Sequence, residues 1–406
     1  MSDTDLRPAS GLRPSFRQAT RTRDADNTGG FQRPVSGEPR VALWAKPARA
    51  HGRDEATTGP NGHGGPLPDG GRGTSGRGDT NGHTLRPARG RGDQGGPQFH
   101  LDVPPNGYAW WYVDGISSCG TKAISIISFI GSVFSPWYAW SGRKDPDNHC
   151  CINVATYGPG GRFTMTDRGR KALRTTRDTF QVGPSQMRWD GEKLIFDINE
   201  ISSPPLVSRV RGQVTVTPRA VTDVELPLAA DGTHVWRPFA PLSDITVDLE
   251  ATGWQWSGHG YFDANFGTRA LEQDFNYWTW GCFPHSDGAT AFYDVTRRDG
   301  SQYETAIAFC DNGSAEHVEA PPLTRFKNSL WQVRRETRAD PGATPKQHLS
   351  MLDAPFYSRS AVRTRLNGED VLGVHEALDL RRFASPLLKP MLAVRVPRRA
   401  GWRWPD

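Results

Sequence analysis

The 406 residues are enough for two domains with full cores, and their 44 glycines, 32 prolines and 14 tryptophans are unevenly spread along the chain. Residues 1–98 hold 15 Lys/Arg against 10 Asp/Glu, an excess equal to the whole chain's net charge of +5. The basic pI of about 9.0 is therefore a property of the tail and leaves the rest without a nucleic-acid footprint, while five irregularly spaced cysteines exclude a disulfide framework and fit a reducing compartment.

Residues 1–98 read as a disordered Gly/Pro/Arg-rich leader. Runs such as GPNGHGGPLPDGGRGTSGRGDTNGH cannot bury enough surface to offset backbone ordering. The amino terminus is polar and Arg-rich with no apolar h-region, so no secretory signal is expected. Order is expected from Phe99. Gly107 to Asp114 packs four aromatics into eight residues, and Ala123 to Trp140 carries no charge. That uncharged stretch is near the length of a membrane span, but four serines, Gly131 and Pro136 interrupt it, which predicts a buried strand pair. His149-Cys150-Cys151 has no second ligand cluster at metal spacing, and no metal is expected. Alternation continues through QMRWDGEKLIFDINEI, with a hairpin turn at Asp190-Gly191, and through LVSRVRGQVTVTP.

A break in pattern near Pro218 to Gly232 predicts two units, residues 99–225 and 226–406. In the second, ITVDLE alternates Ile245, Val247 and Leu249 with Thr246, Asp248 and Glu250, the period of a half-buried strand. Asp299-Gly300 marks another hairpin turn. Short helices are expected only in VLGVHEALDLRRF and after Arg168. Many short alternating strands between turns predict an all-β fold, a sandwich or barrel in each unit.

Residues 233–265 hold the chemistry. His234 and Trp236, Trp254 and Trp256, and Tyr261 and Asp263 are each two apart, so on strands each pair projects to one face. An acid, an imidazole, a phenol and several indoles around one apolar pocket point to acid chemistry on an apolar substrate, with Trp254 and Trp256 as substrate-binding walls. The plainer readings are a strand-end turn for Asp263, a hydrogen-bonded structural role for His234 and core packing for the tryptophans. Asp114, Glu272, Asp274 and Asp294 are the other candidate acids. A glycosidase is disfavoured because Asp263 has no second acid in its motif. A non-catalytic carrier of an apolar lipid needs no buried acid at all.

The stretches GYAWWYVDGIS, FIGSVFSPWYAW, NHCCINVATYG, MTDRGR, GPSQMRWDG, HVWRPFAP, GWQWSGHGYFDANFG and DAPFYSR, in order over residues 107–359, resemble the carotenoid 1,2-hydratase (hydroxyneurosporene synthase) family. The resemblance implies two tandem lipocalin-like antiparallel β-barrels and a cofactor-independent hydro-lyase. Its implied reaction adds water across the terminal 1,2 double bond of acyclic carotenes, neurosporene and lycopene, in the carotenoid biosynthesis of phototrophic bacteria. By motif, His234, Trp236, Tyr261 and Asp263 are the implied catalytic residues. Asp263 would protonate the alkene from an apolar site that keeps it protonated, and His234 would hold the attacking water. The implied partners are an acyclic carotenoid and other enzymes of the pathway, with peripheral contact on the cytoplasmic side of the inner photosynthetic membrane and no nucleic acid. Two places depart from the family pattern: Cys119 stands in a turn where an acid is expected, and Gly281-Cys282 replaces an expected Ser-Arg pair.

Overall fold

The computed structural model describes residues 96–403, so the expected leader lies outside the described residues apart from its last three. Packing starts at those three. Trp111 Nε1 donates to the Pro97 carbonyl at 3.5 Å, and the fully buried Phe99 meets the Trp111 ring edge-on.

The fold is mostly β. Hydrogen bonding sorts the strands into sheets of fourteen, seven and two, antiparallel except where Arg398–Arg399 lies parallel to Asp167–Arg168. The two central strands of the large sheet, Tyr108–Ser117 and Gln255–Gly267, pair along their whole common length. Ala123–Ile130 and Cys150–Tyr157 follow on one side of this pair. His234–Leu249 and Arg209–Pro218 follow on the other. The seven-stranded sheet begins at Phe275 and centres on Phe275–His285, flanked by Gly288–Arg297 and Glu369–Asp379, with Tyr357–Leu366 beyond the latter.

Neither hydrogen-bonded path closes on itself among the described residues, so open sheets stand where two barrels were expected. The change of sheet falls between Gly267 and Phe275. Residues 218–232 do interrupt the strands, but the chain then re-enters the same sheet, because His234–Leu249 pairs with Arg209–Pro218. A break in composition is not a change of sheet.

Local expectations fared unevenly. Ile245, Val247 and Leu249 are buried and Thr246, Asp248 and Glu250 exposed, as their alternation requires. Ala123 to Trp140 is one buried strand, Ala123–Ile130, followed by a five-residue helix, Pro136–Trp140, rather than two strands. Ser135 caps that helix by accepting from the Tyr138 amide, and Pro136 fits its first turn, where no amide donor is needed. No helix among the described residues is long and apolar enough to cross a membrane. VLGVHEALDLRRF is the end of a strand with a four-residue helix, Leu380–Phe383, after it, and the segment after Arg168 forms one 3-10 turn, Arg170–Ala172.

The alternation of side chains divides the large sheet's neighbours into two cores. Val113, Phe262, Ala264 and Phe266 face one core, shared with Phe180, Phe196 and Val214 from the sheet's far strands. Tyr108, Tyr112 and Tyr261 face the other, where Trp278, Trp280, Tyr293 and Tyr357 arrive from the second sheet.

Candidate active site

Between the two sheets this second core opens into a small aromatic chamber. Its walls include Trp110, Tyr112, Phe129 and Phe134 from the first sheet's side and Trp278, Trp280, Tyr293 and Tyr357 from the second. With Glu376, Asp263 is one of two carboxyls on this wall. One oxygen, Oδ2, accepts from the Tyr261 hydroxyl at 2.7 Å and from Trp236 Nε1 at 2.8 Å. The other, Oδ1, is buried with no hydrogen-bond partner among the described residues. Burial pushes the Asp263 carboxyl up to about 8, against the opposing pull of the Tyr261 and Trp236 donors. It is therefore an acid at neutral pH, and with Oδ2 taken as an acceptor, Oδ1 is the oxygen left to carry the proton.

The strand register explains why Tyr261, Asp263 and Trp236 meet. Residues 261 and 263 share a face, and Trp236 pairs with Asn265, which continues that face. A β-bulge between Arg237 and Ala240 re-aims the rest of the His234–Leu249 strand. The phenol of Tyr261 is itself held neutral, its titration pushed far up first by burial and then by Asp263.

A second, larger cavity runs as a groove between the same sheets. Its walls carry Asp114, Ile116, Leu242, Tyr261, Cys282 and Val374, with Ser117, Ser243, Ser257 and His259 among its polar members. Asp114 is 4 % exposed, accepts from the Tyr112 hydroxyl at 2.8 Å, and is pushed up to about 7, chiefly by burial. Of the two departures from the family pattern, Cys282 therefore lies in the groove wall, whereas Cys119 is an exposed turn residue bonded to Ser117 and Thr121.

His234 sits two residues before Trp236 on the same face, but its position does not suit holding the attacking water. Its Nδ1 meets the Tyr108 hydroxyl at 2.9 Å and its Nε2 meets Asp274 at 2.7 Å, so both ring nitrogens are engaged. It lines neither cavity. Tyr108 in turn stacks on Trp110 of the chamber wall, 4.7 Å between centroids, so two rings separate His234 from the chamber. Gly267 makes this possible, since a Cβ there would lie 2.3 Å from the Tyr108 ring and 2.8 Å from His234 Nδ1.

Trp254 and Trp256 stand apart from the site. Both pack with the core on the far face of the sheet, and neither lines the chamber or the groove. The reason is parity: Trp256 and Asp263 are seven residues apart on one continuous strand, an odd number that puts them on opposite faces. The remaining candidate acids are in ion pairs away from both cavities, Glu272 with Arg143, Asp274 with Arg269 and Asp294 with Arg338.

Sequence reasoning missed Arg359 and Glu376, an ion pair at 2.6 Å in the chamber wall. The Arg359 guanidinium lies 4.8 Å from the Tyr112 ring centre and donates to Ser125. Arg359 was within the quoted DAPFYSR motif, but nothing in its spacing tied it to Glu376, seventeen residues on. Among the described residues no group of three or more His, Cys, Asp or Glu side chains is arranged to hold a metal. His149 contacts Asp167 at 3.3 Å, while Cys150 and Cys151 point into the two different cores.

A family model described as carotenoid hydratase CrtC matches residues 126–405. Acyclic carotenoid 1,2-hydratase of Cereibacter sphaeroides is 64% identical over 277 residues, 68% of this chain and 99% of that one. The protein of the same name from Thiocapsa roseopersicina is 42% identical over 388 residues, 94% of this chain and 95% of that one. Among solved structures, a putative AttH from Nitrosomonas europaea superposes with a TM-score of 0.49 at 15% identity, over 73% of this chain and all of that one. With a matching model over more than half its length and long alignments to these relatives, the chain belongs to the carotenoid hydratase family.

Proposed function

We propose that this chain is a hydro-lyase that adds water across the terminal 1,2 double bond of acyclic carotenes, neurosporene and lycopene among them, to give the tertiary 1-hydroxy carotenoid. The observation that carries the reading is Asp263, a buried acid whose unpartnered Oδ1 belongs to a chamber walled by aromatic rings. Hydrating a trisubstituted alkene needs a proton delivered to the less substituted carbon and a setting that tolerates the tertiary cation left behind. Asp263 supplies the first. The faces of Trp110, Trp278 and Trp280 supply the second, each contact worth about 2 kcal/mol when desolvated. Trp236 and Tyr261 fix the carboxyl by holding Oδ2, and His234 is a positioning residue behind Tyr108 and Trp110. These side chains supply the whole of the proposed proton chemistry, with no cofactor in the scheme. In the same reading the two sheets are lipocalin-like units that share one apolar core.

The substrate dissolves in bilayers, so the enzyme collects it at a membrane surface, which we place on the cytoplasmic side of the inner membrane. The end of the molecule beyond the chamber fits that task. Phe134 of the chamber packs on Phe383, and the segment that follows exposes Leu387 and Val394. Arg382 donates to the Trp331 carbonyl, bringing exposed Leu330 and Trp331 to the same end, beside the cationic Arg381 and Arg382. Apolar side chains ringed by arginine suit an anionic bilayer. Flotation with anionic vesicles should carry the parent protein up the gradient and leave the double variant Leu387→Asp, Val394→Asp at the bottom. Co-flotation of both would remove this surface from the account.

The reaction itself is tested by incubating purified protein with lycopene in detergent and heavy water. The expected product is a tertiary alcohol with one deuterium on the carbon beside it. Bound polyene released unchanged by a protein that gives no alcohol would make the chain a carrier instead.

A further inference from the structure

The central strand pair carries the same three-residue pattern twice. Tyr112-Val113-Asp114 and Tyr261-Phe262-Asp263 run antiparallel in register, Tyr112 opposite Asp263 and Asp114 opposite Tyr261. In each, the tyrosine hydroxyl donates to the carboxyl two residues on, at 2.8 and 2.7 Å. Their placements cross. Tyr112 and Asp263 line the aromatic chamber, whereas Asp114 and Tyr261 line the groove with its serines. Asp114 and Asp263 are diagonal cross-strand neighbours, whose backbones lie about 7–8 Å apart, so the two carboxyls share one face of the strand pair.

We propose that Asp114 is the second catalytic carboxyl, the base that takes a proton from the water as it captures the cation. The proposal rests on the reading of Asp263 as the acid. In the forward step the Asp263 Oδ1–H bond breaks and a C–H bond forms at the less substituted alkene carbon. A lone pair of water then makes the C–O bond at the tertiary carbon, one water O–H bond breaks, and that proton goes to Asp114. Asp263 is left as carboxylate and Asp114 as acid, and return of one proton from Asp114 to Asp263 restores both, so the net change is one water added.

Two of the competing bases are occupied. His234 has both ring nitrogens engaged, and Glu376 is held by Arg359. Asp114 opens instead on the groove, whose Ser117, Ser243 and Ser257 give water a polar approach to an otherwise apolar site. Its ionisation near neutrality, kept within reach by the Tyr112 donor, lets it serve as carboxylate while Asp263 stays protonated. Asp114 lies upstream of residues 126–405, so the family match does not assign it a role.

The test is Asp114→Asn in purified protein, given lycopene in heavy water. Alcohol formation should fall at least ~10²-fold, as for loss of a general base. Deuterium should still enter the recovered lycopene at its terminal groups, because the cation made by Asp263 returns to alkene by losing a proton. Alcohol formed at the parent rate overturns the proposal. So does an equal loss of alcohol and of exchange in a folded variant that binds lycopene, since Asp114 would then only support Asp263. Asp263→Asn run alongside should lose both signals; if it keeps both, the acid assignment fails independently of Asp114. Should Asp114→Asn not fold, Tyr112→Phe carries the test. Losing that donor raises the Asp114 pKa, so the acidic limb of kcat should move to higher pH, and an unmoved limb contradicts the role.

Discussion

The two faces of the Gln255–Gly267 strand are equally rich in large side chains and differ in what their polar atoms do. One face packs Trp256, Phe262 and Phe266 into a core filled with aliphatic and aromatic groups. The other presents Tyr261 and Asp263, with a second acid-phenol pair across the register and a carboxyl oxygen left unpaired. A buried unpaired acceptor costs about 1–3 kcal/mol, and a core with no other task would have replaced it. Aromatic content alone therefore does not mark a site, and neither does an unpaired atom, since Trp256 Nε1 on the far face is also buried without a partner among the described residues; the buried carboxyl does.

The comparison is broken most forcefully at Asp263. Asp263→Asn keeps the shape but cannot donate the acidic proton, so hydration should drop at least ~10²-fold with the fold intact by circular dichroism. Next come the groups that hold Oδ2. Trp236→Phe and Tyr261→Phe each remove one hydrogen bond to the carboxyl, and each should lower kcat by about tenfold, on the scale of ~1.5 kcal/mol per such bond. Loss in KM alone would show that these residues bind substrate and do not orient the acid. His234→Gln should change kcat by only about threefold while lowering the melting temperature, because it severs the Tyr108 and Asp274 bonds of a buried imidazole. A loss as large as that of Asp263→Asn would return His234 to the reaction. The smallest effect belongs to the far face. Trp256→Phe should leave kcat and KM within about twofold and cost on the order of 1 kcal/mol of stability, read by denaturant titration.

Stability should follow pH in the direction set by the two raised carboxyls. Folded Asp263 and Asp114 keep their protons up to about 8 and about 7, whereas the unfolded chain releases them near 3.8. The native state binds more protons in between, so stability is full below about 4 and is lost as pH rises toward 8. Each carboxyl contributes about 1.4 kcal/mol per pH unit in its window. Asp263→Asn should flatten this slope, and an unchanged slope would mean that the carboxyl is ionised in the folded protein.

Much of this site was legible in the chain. The i,i+2 spacing of Tyr261 and Asp263 and of His234 and Trp236 places each pair on one face, and the register brings those faces together. The error over Trp254 and Trp256 was one of parity within reach of the sequence: seven residues separate Trp256 from Asp263 without a break in the strand. Other parts were not readable locally. That YVD lies opposite YFD depends on pairing strands about 150 residues apart, and the Arg359–Glu376 pair depends on the register of two strands of the second sheet. The change of sheet after Gly267 was hidden because the stretch before Thr233, which lacks strand alternation, is the stronger local break, and long-range pairing overrides it.

The central claim is that Asp263 stands protonated in the chamber at neutral pH, ready to give its proton away. Infrared difference spectroscopy of the parent against Asp263→Asn, in detergent and across a pH series, reads that state directly. The account predicts a carbonyl band of a protonated carboxyl at pH 6, absent from the variant, that fades with a midpoint near 8. A parent spectrum showing only carboxylate for Asp263 at pH 6 would contradict it.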